Sequence, residues 1–299
     1  MQASFPKVAI VILNWNGLKD TLECLYSLQK ITYPNYSIVV VDNGSRGNDA
    51  EIVKKRFGTY VSVIEKEENL GFTGGCNVGI RWAFRNRANY ILLLNNDTVV
   101  DPNFLIEMVN VAQNDSQIGI VGPKILDYEQ PNRIGAAGGR ISFWTGVTPL
   151  FGKNEIDNGR FDCIREVDFV TGVALLIKDE TIRRIGLLNE LYFAYYEETD
   201  WCTRARKALF KVVYVPKAKV FHKIHRRRES ELEMYYMVRN RFIFMKKNSS
   251  GFQFLVFSLY FLATDLVFQM RNKIFMMPKL LIAYLRGMCD GLRSLAYHQ

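Results

Sequence analysis

The chain has 299 residues, 48% of them hydrophobic, enough to bury a substantial core and to exclude an intrinsically disordered protein. Its five cysteines (Cys24, Cys76, Cys163, Cys202, Cys289) are scattered and odd in number, which argues against a disulfide framework or a thiolate metal cage and fits a reducing compartment. The net charge of +9 is uneven: residues 217–299 hold fifteen Lys/Arg against five Asp/Glu, leaving about −1 for residues 1–216, so the tail and not the body seeks an anionic partner.

The first residues carry no apolar run behind a basic start, so no signal peptide is expected and the catalytic part is placed in the cytosol. From Lys7 to Gly122 short apolar runs alternate with helical patterns. The strands are Val8–Leu13, Ser37–Val41, Tyr60–Ile64, Tyr90–Leu94 and Ile118–Val121; the helices start at Leu18, near Asp49, at about Thr73 and at Asp101-Pro102. Such alternation predicts an α/β fold with a parallel sheet and right-handed crossovers, with ligands bound beyond the carboxyl ends of the strands. Residues 131–165, rich in Gly and aromatics, read as an insertion or lid. Order returns with a strand over Val167–Ile177, helices near Asp179–Ile185 and Glu197–Leu209, and a strand Lys211–Val215.

Polar residues collect where those strands end. The first ends in Asn14-Trp15-Asn16-Gly17 and the second in Asp42-Asn43-Gly44-Ser45: a carboxylate to accept from a base or ribose, an aromatic to stack on it, or simply an Asx-type turn beside a rim hydrophobe. Asn69-Leu-Gly71-Phe-Thr-Gly-Gly-Cys-Asn77 opens a helix, where backbone N–H groups approach a diphosphate closely or glycines serve packing. It has neither dinucleotide-fingerprint nor Walker A spacing. Tyr90–Leu94 runs into Asn95-Asn96-Asp97-Thr98, placing one carboxylate at a strand end, suited to a hard divalent cation or to a turn.

These three motifs, in this order, resemble the inverting family 2 glycosyltransferases, the rhamnosyltransferase-like branch in particular, over nearly all of residues 7–245. The resemblance implies a GT-A fold, a Rossmann-like mixed and mostly parallel sheet flanked by helices. It implies Asp42 on the base, Trp15 stacking on it, and Asn14, Asn16, Asn69, Gly71, Asn77 and Asn96 around the nucleotide sugar. Asn96-Asp97 stands at the Asp-x-Asp metal motif, with only Asp97 charged. Tyr196-Glu197-Glu198-Thr199-Asp200-Trp201 concentrates acids in a first helical turn, which is also ordinary capping chemistry. It resembles the family's Glu-Asp-x-Asp motif, which implies Glu198 as general base with Glu197 as the alternative and Asp200 as a structural or acceptor-site group paired with Arg204. Pro216-Lys-Ala-Lys-Val-Phe-His222 matches a further family pattern, which implies His222, otherwise read as a surface or hydrogen-bonded histidine, as a metal ligand with Asp97; Arg226 in the following Arg226-Arg227-Arg228 is read as a grip on the leaving diphosphate, as a contact for lipid phosphates or as part of a solvated charge run. The expected cofactor is Mn²⁺ or Mg²⁺.

The expected division is a catalytic domain over residues 1–228 and a basic, apolar helical region over 229–299. Residues 252–270 form a nearly uncharged apolar run interrupted by Asp265, with Gln253, Ser258, Thr264, Asp265 and Gln269 on one side of a helical wheel. An interfacial helix is expected there, flanked by Lys246-Lys247 and by Arg271 and Lys273 for anionic headgroups, on the inner face of the cell membrane; packing on protein is the plain alternative. Long aliphatic runs between the basic residues argue against nucleic acid. The expected partners are a nucleotide-diphosphate sugar and a lipid-linked or glycan acceptor, with a homo-oligomer as an open option. Two other readings stand beside transfer: a binding or scaffold protein without turnover, prompted by Asn95-Asn96, and a nucleotidyltransferase, disfavoured because no basic Gly-rich loop follows the first strand.

Overall fold

The computed structural model describes residues 5–223, 230–267 and 278–294. Ten strands and nine α-helices are described: β1 (Val8–Asn14), α1 (Leu18–Leu28), β2 (Tyr36–Asn43), α2 (Asp49–Phe57), β3 (Val61–Lys66), α3 (Gly71–Arg85), β4 (Tyr90–Asn95), β5 (Thr98–Val100), α4 (Phe104–Asn114), β6 (Ile118–Asp127), β7 (Ile134–Ala136), β8 (Arg165–Glu166), β9 (Ala174–Lys178), α5 (Asp179–Ile185), α6 (Glu197–Lys207), β10 (Lys211–His222), α7 (Glu231–Asn248), α8 (Gly251–Tyr260) and α9 (Pro278–Ser294).

One sheet runs in the order β3-β2-β1-β4-β9-β6-β10-β5, with β7 against β6 and β8 against β10. β3, β2, β1 and β4 pair in parallel, as do β6 and β10, whereas β9 lies antiparallel between β4 and β6. Two reversals cancel, so the six strands other than β5, β7, β8 and β9 all point one way and end at one edge. The alternating pattern anticipates that common direction but not β9, a segment from beyond residue 170 wedged between β4 and β6. β5 is likewise absent from the sequence reading; it is three residues long and pairs antiparallel with the end of β10.

Period-two alternation splits the core into two faces. Ala9, Val11, Val39, Val41, Ile91 and Leu93 join one cluster, with α3, α6 and α7. Val8, Ile10, Ile12, Ile38, Val40, Leu92 and Leu94 join the other, with α1, α2 and α4. Helix α3 comes close to β1 because Gly75 and Gly79 lack side chains; a Cβ would lie 2.3 Å from Leu13 Cδ1 and 2.2 Å from Val11 Cγ1.

Three expectations change. β10 continues past Val215 to His222, with a register shift between Val215 and Lys219 where Pro216 cannot donate to the ladder. β9 covers only the end of the expected strand Val167–Ile177, since Asp168 turns aside to accept from Ile141 N (2.8 Å) and pair with Arg206 (2.8 Å). Residues 131–165 are a packed annex: the buried Lys124 donates to Asp157 (2.8 Å) and Asp162 (2.6 Å), while Ile134, Ala137, Ile141 and Phe161 join the core.

Helices α7, α8 and α9 pack on the same cluster as α3 and α6. Phe257 and Phe261, both fully buried, meet Phe242 and Tyr284. A Ser250–Gln253 capping box starts α8, which continues through wider π-type turns over Phe261–Leu266. Residues 268–270, Arg271 and Lys273 lie outside the described residues. Among the described residues no helix is long and apolar enough to cross a membrane.

Candidate active site

At the carboxyl edge of β1, β2 and β4 a cavity of about 450 Å³ opens. Trp15, Asn43, Asn69, Asn95, Asn96 and Asp97 line its strand side; Phe193, Tyr195, Glu233 and Tyr236 line the opposite side. The edge is the one expected for a doubly wound sheet, and the volume falls within the ordinary range for small-molecule sites. The wall draws on α7 and so crosses the 228/229 division. Among the described residues none of 131–165 lines it; the segment meets the facing side from outside, where Tyr196 OH donates to Gly146 O (3.0 Å) and Arg241 Nη2 to Thr145 O (2.6 Å).

The strand side rests on one hydrogen-bonded chain. Asn96 Nδ2 donates to Thr21 Oγ1 (2.9 Å), Thr21 Oγ1 to Asn14 Oδ1 (2.7 Å), and Asn14 Nδ2 to Asp42 Oδ1 (2.7 Å) and Asp49 Oδ2 (3.0 Å). Ser45 Oγ donates to Asp42 (2.6 Å) and accepts from Asn16 N (2.9 Å). Asn14 and Asp42 are therefore buried beneath the cavity wall, while Trp15, half exposed, projects above it. Asn16 turns the chain at φ 53° and takes Arg46 N on its side chain (2.9 Å). Asn43, which the sequence reading assigns no role, accepts from Leu70 N (3.1 Å) and donates to Asn69 Oδ1 (2.8 Å), pinning the glycine segment to β2.

That segment does not offer a row of free amides. Gly71 N donates to Asn69 Oδ1 (2.8 Å) and Thr73 N to Phe193 O (3.1 Å). The expected close approach to a diphosphate at these two amides is thus corrected: both are engaged inside the protein. At Gly71, φ is +73° and a Cβ would lie 2.5 Å from the Phe193 ring, so this glycine serves the contact between α3 and the turn before α6. Asn77 lies outside the cavity wall, buried, bracketing the same turn through Leu188 N and O and Glu190 (2.9–3.1 Å).

Asp97 and His222 come together because β5 and the end of β10 pair; His222 stands opposite Thr98, and its Nε2 is 3.2 Å from Asp97 Oδ1. Asp97 lines the cavity and His222 stands behind it; one carboxylate and one imidazole are the donor types that could hold a Mn²⁺ or Mg²⁺ ion taking its remaining ligands from phosphate and water. Among the described residues no group of three or more His, Cys, Asp or Glu could hold a metal, so a closed protein cage is absent there. Arg226 lies outside the described residues.

Glu197 and Glu198 open α6 behind the cavity wall. A Cβ on Gly172 would lie 3.6 Å from Glu197 Oε1 and 3.8 Å from Glu198 Cβ, and the adjoining Val173 O accepts from Asn95 N (2.9 Å). The two carboxylates are therefore close to the end of β4. Each has one buried oxygen, Oε2, without a hydrogen-bond partner. Burial pushes Glu198 up to about 7, and burial together with the Glu198 charge holds Glu197 well above the usual carboxylate range. Asp200 is engaged at both oxygens, by Arg204 Nε (2.7 Å), Tyr192 OH (3.2 Å) and Asn248 Nδ2 (3.0 Å).

The turn before these acids is strained: Phe193, Tyr195 and Tyr196 have φ of 63°, 68° and 70°. Non-glycine residues in such regions cost about 1–3 kcal/mol each and persist only where the surroundings over-determine them. Here they do. The five consecutive carbonyls from Leu191 to Tyr195 all accept hydrogen bonds, from Arg239 and Asn240 of α7 and from Thr73 of α3.

A cavity at the carboxyl edge of an open α/β sheet, walled by a strand-end aromatic and amides, is the place where such sheets bind nucleotide ligands. Residues 6–244 match the family model described as "Glycosyltransferase like family 2", and the chain belongs to that family. It is 24% identical to the dTDP-rhamnosyl transferase RfbF of Shigella flexneri, with 95% of each chain covered. It is 25% identical to the N-acetylglucosaminyl-diphospho-decaprenol L-rhamnosyltransferase of Mycobacterium tuberculosis, over 76% of this chain and 80% of that one. The fold is similar to that of the mannosyltransferase PcManGT from Pyrobaculum calidifontis, solved in complex with GDP-Man and Mn²⁺: TM-score 0.62, 13% identity, covering 99% of this chain and 77% of that one.

Proposed function

We propose that the protein is an inverting glycosyltransferase that moves a hexosyl group, rhamnose being the branch-level expectation, from a nucleoside-diphosphate sugar to a hydroxyl of a lipid-linked or polysaccharide acceptor. The observation that carries this reading is the cavity at the carboxyl edge of the sheet, lined by Trp15, Asn43 and Asp97, with His222 reaching Asp97 (3.2 Å) and Glu197 and Glu198 packed beside Gly172 near the end of β4. Trp15 stacks on the base, and Asp42 lies below, shaping the wall through Asn14. Asp97 and His222 are the residues that would hold a divalent ion, whose charge offsets that growing on the departing diphosphate. Glu198, held near neutrality, takes the proton of the attacking hydroxyl; Glu197 is the alternative base. Names of two relatives, one citing a dTDP-rhamnosyl group and one a decaprenol-linked acceptor, support the donor and acceptor classes.

The catalytic unit over 1–228 and the attachment region over 229–299 are proposed as functional divisions that share α7. Helix α8 buries Phe257 and Phe261 but exposes Phe252, Leu255, Leu259 and Leu262 along one face, beside the half-exposed Trp144. With Lys246 and Lys247 just ahead of it, this face suits a monotopic contact with an anionic, cytoplasmic membrane surface.

The test is turnover and binding across UDP-, dTDP- and GDP-sugars, with Mn²⁺, with Mg²⁺ and with chelator, in the presence of a polyprenyl-diphosphate-linked sugar. Metal-dependent transfer from one donor is expected, while binding without turnover would replace this reading with that of a scaffold protein.

A further inference from the structure

The carbonyl-lined turn between Leu191 and Tyr196 ends at the two acids and is held from outside its own segment. Asn240, fully buried on α7, directs its side-chain amide at three of those carbonyls: Tyr192 O (2.9 Å), Ala194 O (2.7 Å) and Tyr195 O (2.8 Å). Arg239 adds Nη2 contacts to Leu191 O and Tyr192 O, and its guanidinium lies 4.8 Å from the Tyr236 ring centre. Tyr236 in turn stacks on Phe193 (5.1 Å, 13°), so the same helix grips the turn by hydrogen bonds and by a ring. On the other side Thr73 N donates to Phe193 O, and Gly71 gives the Phe193 ring its space.

An amide with two N–H groups spread over three carbonyls is a costly arrangement to keep buried unless the turn it organises is needed in that shape. A relaxed turn with negative φ at Tyr195 and Tyr196 would rotate the start of α6 and carry Glu197 and Glu198 away from Gly172 and the end of β4. We propose that Asn240 is a positioning residue for sugar transfer, holding the Phe193–Tyr196 turn so that the Glu197–Glu198 pair stays against Gly172 beside the end of β4, and that it acts on turnover and not on donor affinity. The assignment rests on the reading of that pair as the proton acceptor.

The experiment uses the full chain with Asn240→Asp, which is nearly isosteric but replaces the donor with a carboxylate facing three carbonyls, and Asn240→Ser, which keeps one donor. Steady-state turnover of the donor selected from the UDP-, dTDP- and GDP-sugar panel is compared with hydrogen exchange across residues 188–200. The expected result is a fall in kcat of at least tenfold for Asn240→Asp and less for Asn240→Ser. Donor KM stays within about twofold, and exchange is faster over 188–200 while β1 and β2 stay protected. A proportional loss of kcat, donor KM and global protection would overturn it, leaving Asn240 a purely structural residue; so would unchanged exchange in the turn. Glu197→Gln and Glu198→Gln separate the premise from the proposal. If both keep wild-type kcat, the proton-acceptor reading fails and positioning of that pair fails with it. If either loses kcat while Asn240→Asp does not, the positioning role alone is refuted.

Discussion

The two sides of the cavity are built by different means. On the strand side each group follows its own strand: Asn14, Asn43 and Asn95 end β1, β2 and β4, and a short hydrogen-bonded chain through Thr21 links the first and last of these ends. On the facing side the polypeptide is a strained turn whose shape comes from α3 and α7, more than forty residues away in either direction along the chain. On the first side the groups are placed by the strands they end; on the second they are placed only by contacts from α3 and α7, so a change there reaches the acids the turn carries.

The sharpest way to test that contrast is at the acids. Glu198→Gln is expected to lower kcat by about 10²- to 10⁴-fold with donor binding unchanged, and Glu197→Gln by much less; equal losses would make the pair, and not Glu198, the functional unit. On the strand side, Trp15→Ala is expected to act in the opposite sense. Donor KM rises by roughly tenfold to a hundredfold from the lost stacking and kcat holds, as read by steady-state kinetics. Gly71→Ala links the two sides: its positive φ and the clash with Phe193 predict a loss of about 1–3 kcal/mol in urea unfolding, where no change would show that α3 does not constrain the turn.

The smallest expected effect is on pH dependence. Glu198, with an ordinary value of 4.5, is raised to about 7 in the folded protein, so between those limits the folded state holds a proton the unfolded chain releases. Its contribution to stability is present below 4.5 and declines as pH rises through about 7, and Glu197 adds in the same direction. Chemical denaturation of wild type and Glu197→Gln at pH 5 and pH 8 is expected to show the variant gaining relative stability at the higher pH. The rate, needing Glu198 ionised, is expected to rise across the same interval.

Legibility in the sequence follows this division. Apolar runs such as Val8–Leu13 and Tyr90–Leu94 end in polar clusters, so strand direction, the ligand edge and the neighbourhood of Trp15, Asn96 and Asp97 are readable from local pattern. β9 is not, because nothing in Ala174–Lys178 says which gap in the sheet it will fill. Asn43 escapes notice beside a more conspicuous Asp42, although it is the residue that lines the cavity. Glycines at 71 and 75 signal close approach, yet whether to a phosphate or to Phe193 and Leu13 depends on partners distant in sequence. The role of α7 is hidden for the same reason: Arg239 and Asn240 acquire meaning only against the carbonyls of residues 191–195.

The wedged position of β9 also sets an order of events during synthesis. β6 leaves the ribosome about fifty residues ahead of β9, an interval of roughly 3–10 s at ordinary elongation rates, and until then only the short β7 can pair with it. The β3-β2-β1-β4 half can close as it emerges, while β6 waits with both edges largely open, the condition under which nascent strands recruit wrong partners. A polypeptide truncated short of residue 174 lacks the strand that bridges β4 to β6 and is not a smaller version of the enzyme.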